Sequence, residues 1–318
     1  MRRSRERVAL LLAAGLVSLQ PAQAQVFPDR VIEMVNPYPP GGATDVMGRA
    51  LMDAMAAQLN SRLIFLNRAG ANGAIGTSAV ARAAPDGHTL LFTAAVSMVV
   101  NPLTQAQAGY TLKSFDHLCQ TFKNEMAIIS RRDSPLRTAG DLVKAAREKP
   151  GALSYGILGI GSIPHLATVE LAQAADVKFN AVPFKGDADV MQQVLGGHVD
   201  FGAVVLASAA RAEVNILGIF SQQRNPSIPD VPTLREQGFD VAPFSIGGLS
   251  VPVGTPPDIR HKLEDACKAA AQSESYGKLM KSIHQPLDYY ADGGHYTRAL
   301  EQDLEDKRRL LGQLGMLK

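Results

Sequence analysis

The chain has 318 residues, 46% of them hydrophobic, with two cysteines and a formal net charge of +2 from 32 basic and 30 acidic residues. So even a balance gives no general attraction to nucleic acid or to an anionic membrane surface. The short basic clusters Arg131-Arg132 and Lys307-Arg308-Arg309 are flanked by acids and read as solvated surface.

Met1-Arg2-Arg3-Ser4-Arg5-Glu6-Arg7, the apolar run Val8 to Leu19 and the small-x-small sequence Ala22-Gln23-Ala24 predict a secretory signal peptide over residues 1–24, cleaved near Ala24. The apolar run is shorter than the ~20 residues that cross a bilayer, and no later segment approaches that length without charges or glycines. A soluble periplasmic protein is the expectation, and the remaining residues are enough for two lobes. Cys119 and Cys267 lie far apart in sequence, so a disulfide and a pair of buried thiols both stay open.

Short apolar runs then alternate with helix-period stretches, the pattern of parallel strands joined by crossover helices. The predicted order is strand 30–35, helix 44–59, strand 62–66, helix 73–83 and strand 89–94, with Pro85-Asp86-Gly87 as a turn before the last of these. Two strands, 117–122 and 126–130, follow without a helix between them, and a first crossing between lobes is placed near Lys123-Asn124. A second series comprises helix 138–148, strand 153–157, helix 163–174, strand 180–184, helix 188–195 and strands 199–205 and 215–220. The proline-rich segment 224–233 reads as a return connection. A strand over 244–251 rejoins the first sheet, followed by helices over 256–271 and 294–314. The expected fold class is α/β, a two-lobed periplasmic binding protein (type II) fold, each lobe an open and mainly parallel sheet flanked by helices. Lobe 1 takes residues 25–123 and about 221–290, lobe 2 residues 124–220, and residues 291–318 form a C-terminal helix with no lobe assigned.

Two constellations carry the functional reading. In Pro37-Tyr38-Pro39-Pro40-Gly41-Gly42-Ala43-Thr44-Asp45 a strand ends in a rigid turn, two glycines and a helix start. Such a point at the carboxyl end of a strand is where open α/β sheets bind ligands. First-turn amides and their partial positive charge favour an anion there. Thr44 or Asp45 serving only as a helix cap is the competing reading. Gly156-Ile157-Leu158-Gly159-Ile160-Gly161-Ser162-Ile163-Pro164-His165 repeats the arrangement in the second lobe, with Ser162 as a natural cap, and together the two suggest a clamp. His165 could donate a ring N–H into it or merely cap its helix.

Enzyme signatures are missing from the sequence. The third glycine of a dinucleotide fingerprint is replaced by Pro164, no Lys-Ser/Thr follows a glycine loop, Gly248-Leu249-Ser250-Val251 runs into Pro252, and the seven histidines have no metal-ligand spacing. No enzyme activity, metal or cofactor is expected.

The residues also resemble a known family. Besides the first-lobe loop, Asn67-Arg68-Ala69-Gly70-Ala71-Asn72-Gly73, Ala84-Pro85-Asp86-Gly87-His88-Thr89-Leu90-Leu91, Gly161 to Leu166, Val182-Pro183-Phe184-Lys185-Gly186, Leu195 to Asp200, Pro229 to Leu234 and Val251 to Pro256 are similar, in order, to the Bug-type extracytoplasmic solute receptors of tripartite tricarboxylate transport systems. Each motif is weak alone, but their ordered set is specific. The resemblance implies a monomeric receptor whose lobes close on a small organic carboxylate, with membrane permease subunits as partner. It implies ligand contacts at Tyr38, Gly41, Gly42, Ala43, Thr44 and Asp45, at Ala95 and Ser97 after the third strand, and at Gly159, Ser162, His165, Phe184 and Lys185 in the second lobe. Phe184 stands where this family usually has tyrosine, and Phe244 where tryptophan is common. A receptor that presents its ligand to a membrane sensor and an exported enzyme on the same fold are the competing functions.

Overall fold

A computed structural model describes residues 27–210, 212–286 and 289–318, so the predicted signal peptide over residues 1–24 lies outside the described residues. In chain order the strands and helices are β1 (Ile32–Asn36), α1 (Ala43–Leu59), β2 (Leu63–Asn67), α2 (Ala74–Ala81), β3 (Thr89–Ala94), α3 (Ala95–Val99), α4 (Asn101–Thr104) and β4 (Phe115–Arg131). There follow α5 (Ala139–Glu148), β5 (Ser154–Ile157), α6 (Ile163–Ala175), β6 (Asn180–Pro183), α7 (Asp187–Leu195), β7 (Phe201–Val205), α8 (Leu206–Ala209) and β8 (Val214–Phe220). The chain closes with β9 (Phe244–Pro252), α9 (Pro257–Ala271), α10 (Glu274–Ser282), β10 (Ala291–Asp292) and α11 (Gly293–Gln313).

Each lobe holds three parallel strands continued by antiparallel ones. In the first, β2, β1 and β3 run parallel, and β9 pairs antiparallel with β3 and with the first half of β4. In the second, β6, β5 and β7 run parallel, and the second half of β4 pairs antiparallel with β7 and β8. β4 is therefore common to both. The sequence predicts two strands here, split at Lys123-Asn124, but one 17-residue strand runs through the pair. Continuous pairing explains this: Lys123, Asn124 and Glu125 face Ile246, Ser245 and Phe244 of β9, and Met126 to Ile129 face β7. Polar residues persist in the strand because they have partners, Gln285 accepting from the Lys123 amide and donating to the Asn124 side chain.

The helices follow their sequence signals. α1 buries Met47, Leu51, Met55 and Leu59 at four-residue spacing and stops at Asn60, whose φ of 46° closes the helix in the left-handed region. α5 starts with a Thr138–Asp141 capping box, and α6 starts at Ser162 with Pro164 in its first turn. The last helix packs on the first half of β4, with the Tyr296 ring edge-on to His117 at 5.6 Å between centroids. Cys119 of β4 and Cys267 of α9, both fully buried, form a disulfide, which decides between the two alternatives left open by the sequence. Among the described residues no helix is long and apolar enough to cross a membrane.

Candidate functional site

A cavity of about 540 Å³ lies where the two sheets meet. The first lobe contributes Pro37 to Pro40, Gly42 to Thr44, Ala69 to Gly73, Ala94 and Val96. The crossing strands add Asn124, Met126 and Ser245, and the second lobe Leu158, Ser162 to Pro164, Phe184 to Asp189 and Val205.

The first-lobe loop is held from behind. Asp45, 5% exposed, accepts from the Gly41 amide at 3.0 Å, from the Arg49 guanidinium at 3.1 Å and from the Asn67 amide at 2.9 Å, and Asn67 also donates to the Tyr38 carbonyl. Burial works to raise the Asp45 pKa, but the hydrogen bonds from Arg49, Gly41 and Asn67 outweigh it and hold the carboxyl below its ordinary range. Gly41 adopts φ +84°, a conformation that favours glycine. Gly42 is different: its φ of −75° and ψ of 170° suit any residue, and an added Cβ would meet nothing nearer than the Pro39 carbonyl at 3.9 Å. The absence of a side chain there leaves the start of α1 uncapped. The amides of Ala43, Thr44 and Asp45 precede the first intrahelical bond, from Val46 to the Gly42 carbonyl, and no side chain caps them.

The start of α6 is built the opposite way. The Ser162 hydroxyl accepts from the His165 amide at 3.4 Å, the Gly161 amide donates to His165 Nδ1 at 3.1 Å, and the Ser162 amide donates to the Gly159 carbonyl. Nδ1 is thus an acceptor on a neutral ring, and burial keeps the His165 pKa below its ordinary value. Pro164 has no N–H to offer. This helix end is nearly satisfied by its own residues, so the symmetrical clamp expected from sequence is not what the geometry offers.

A third helix start borders the cavity and was not foreseen. Gly186 begins α7 without a side-chain cap, and Asp187, Ala188 and Asp189 of its first turn all line the space. Asp187 accepts from the Ser208 hydroxyl at 2.7 Å. The signal was present as Gly186 followed by two acids, an arrangement typical of first helical turns.

Of the expected contact residues, Tyr38, Gly42, Ala43, Thr44, Ser162, Phe184 and Lys185 are brought together on the cavity wall. Six others stand apart from it. Gly41 and Asp45 serve each other behind the loop. Ala95 and Ser97 are fully buried in α3, leaving Ala94 and Val96 as the lining residues, and the Ser97 hydroxyl bonds Thr93 at 2.7 Å. Gly159 and His165 are off the cavity wall and bonded to Ser162, the Gly159 carbonyl accepting from its amide and the His165 amide donating to its hydroxyl. Tyr38 presents its ring, while its buried hydroxyl is turned toward Thr93 and Ser97 and burial raises its pKa. The corner Ala69 to Gly73, part of the family-like motif but not among the expected contacts, also lines the cavity. Its Ala71 and Asn72 have φ of 49° and 54°, and Gln105 and Asn101 hold their carbonyls at 3.2 and 2.9 Å. Such conformations in non-glycine residues persist where the surroundings impose them. Among the described residues no three His, Cys, Asp or Glu side chains gather as a metal site.

Comparison with known proteins agrees with this architecture. A protein of Cupriavidus necator described as the UPF0065 protein in the gbd 5' region is 33% identical over 99% of this chain and 97% of its own length. BugT of Bordetella pertussis is 29% identical over 83% of both chains. The structure of the periplasmic binding protein BugD superposes with a TM-score of 0.85 at 28% identity, covering 92% of this chain and all of that one. The family model of the tripartite tricarboxylate transporter family receptor matches residues 47–316. With a first-lobe loop, a crossing strand and a two-lobed cavity that all fall within or beside that match, the chain belongs to the Bug-type tripartite tricarboxylate transporter receptors.

Proposed function

We propose that this receptor is exported to the periplasm, captures a small organic carboxylate between its lobes, and delivers it to the permease subunits of a tripartite tricarboxylate-type transporter. The observation that carries the reading is the open start of α1: three amides without a cap, at the positive end of a 17-residue helix, bordering a cavity enclosed from both sides. Family membership supports the transport role, and the leader over residues 1–24 supports export.

Thr44→Pro tests the site. The substitution deletes one of the three amides, and a proline at the same position of a first turn is already accommodated by α6 as Pro164. Calorimetric titration of the mature protein, freed of endogenous ligand by unfolding and refolding, against mono-, di- and tricarboxylates should find a tight ligand. Thr44→Pro should weaken that ligand by about 10-fold, the loss of one charge-assisted hydrogen bond. Failure of every carboxylate, or unchanged affinity in the folded variant, would defeat the assignment.

A further inference from the structure

The strands that cross between the lobes bring two polar side chains to the cavity wall, and one of them keeps a donor that the chain does not use. Asn124 of β4 and Ser245 of β9 are partners in the antiparallel register, both are 3% exposed, and both line the cavity. Residues paired in this way present their side chains on one face of the sheet, with Cβ atoms about 5 Å apart. Met126, two positions farther along β4, lines the same space, so this is the cavity face of the strand. Glu125 between them turns the other way and accepts from the Ser221 hydroxyl and the Asn225 amide.

Neighbouring groups fix the orientation of the Asn124 amide. Gln285 Oε1 accepts from the Lys123 backbone amide at 3.1 Å, so the other end of that side chain is Nε2, which donates to Asn124 Oδ1 at 3.4 Å. Asn124 Nδ2 is therefore the end left over, and it donates to no group among the described residues. The Ser245 hydroxyl beside it reaches only the Ile246 carbonyl, at 3.4 Å. Holding Gln285 at the crossing needs the oxygen of Asn124 and not its nitrogen. A side chain this deeply buried costs stability while its N–H groups stay unpaired, and a ligand that accepts from them recovers that cost on binding. Ala43 and Thr44 border the same cavity, whose volume of about 540 Å³ is in the range of small-molecule sites.

Resting on the assignment of the ligand carboxylate to the α1 amides, we infer that Asn124 is a specificity-determining residue: its Nδ2, with the Ser245 hydroxyl beside it, donates to an acceptor oxygen on the body of the ligand. The ligand is then a carboxylate with a second oxygen function, a ketone, a hydroxyl or another carboxylate, taken in preference to a plain alkanoate of the same length.

Calorimetric titration of the refolded mature protein with pentanoate and heptanoate, with the oxo and hydroxy isomers of each, and with glutarate and pimelate tests this. The best oxygen-bearing acid should bind at least 10-fold more tightly than the plain acid of its length, the effect expected when a buried donor gains its partner. The arm in which it falls, oxo, hydroxy or dicarboxylate, identifies the acceptor. Asn124→Leu or, where that chain does not fold, Asn124→Ala should shrink the preference to 2-fold or less. A purely structural role would instead weaken both acids together and leave their ratio unchanged. A plain acid that matches every oxygen-bearing acid of its length, or a preference that survives in the Asn124 variant, overturns this inference and leaves the carboxylate receptor standing. A fully methylated ester that binds as well as the best acid, or no binding by any member of the panel, removes the receptor assignment and this inference with it.

Discussion

An aspartate at position 42 would bring its own carboxylate to the amides that the open helix end presents. The backbone there already has the extended conformation of a capping residue, and nothing lies within 3.9 Å of an added Cβ. Gly42→Asp should therefore raise folding stability by about 0.3–1 kcal/mol, through capping and the helix dipole. The same change should lower ligand affinity at least 100-fold, because the cap occupies the ligand's donors. Urea unfolding and calorimetric titration of one sample check both, and a stabilised variant that still binds would show that the anion sits elsewhere. Asp45 is the complementary case. Asp45→Ala leaves Gly41, Arg49 and Asn67 without their shared acceptor, an expected loss of about 2–3 kcal/mol in stability. Affinity should fall about 10-fold although Asp45 touches no ligand, and an unchanged titration would show that the loop holds its shape without it. These two residues mark how far the site was legible. The motif picked out the loop that borders the cavity, with Gly42 on its wall and Gly41 off it, but adjacent residues of a first helical turn point in different directions. Composition does not say which of Thr44 and Asp45 looks inward.

At the scale of elements, what the sequence concealed lies where one element serves two neighbours. Alternating strands and helices were readable because each has its own period, and β3 appears with the ends predicted for it, Thr89 and Ala94. The 17-residue β4 was not readable as one strand, since Lys123-Asn124 interrupts the apolar pattern and the partners that satisfy the pair, Gln285 and β9, are more than 100 residues away. The small helices α3 and α4 were missed for a related reason: too short for a period, they are set by burial of Ala95, Met98 and Val99 beneath the cavity. The Cys119–Cys267 disulfide ties β4 to α9 across 148 residues of sequence. Closing so long a loop restricts the unfolded chain, and replacing both cysteines by alanine should cost about 3–5 kcal/mol. Neither cysteine lines the cavity, so affinity should not change. Denaturant midpoints and titrations of the double variant check this. A large loss of affinity in the folded variant would mean that the disulfide also governs the relative setting of the lobes.

For the molecule as a whole, the docking of the last helix sets two opposing responses to acid. Under Tyr296, His117 is half-buried against Ser250 at 2.9 Å, and desolvation lowers its pKa from 6.5 to about 4. The unfolded chain binds that proton first, so stability present above pH 6.5 is lost as pH falls toward about 4, by at most about 3 kcal/mol. Two turns farther along α11, burial raises the Asp303 pKa from 3.8 to about 6, only partly offset by Lys307 at 3.9 Å. Here the folded protein binds the proton first, so stability declines as pH rises from 3.8 to about 6, by an amount of similar order. Glu170 of α6, also raised by burial and eased by Lys307, acts in the same direction as Asp303. The two slopes overlap between about pH 4 and 6 and largely cancel, which predicts a native protein whose stability changes little over that interval. His117→Gln retains a hydrogen-bonding partner for Ser250 but removes the acid-sensitive group, and should make the protein gain stability on acidification from pH 6 to 4. Asp303→Asn should do the reverse, steepening the loss. Urea unfolding of the three proteins at half-unit pH steps measures the slopes directly, and parallel curves would show that neither group is held as the packing of this helix requires.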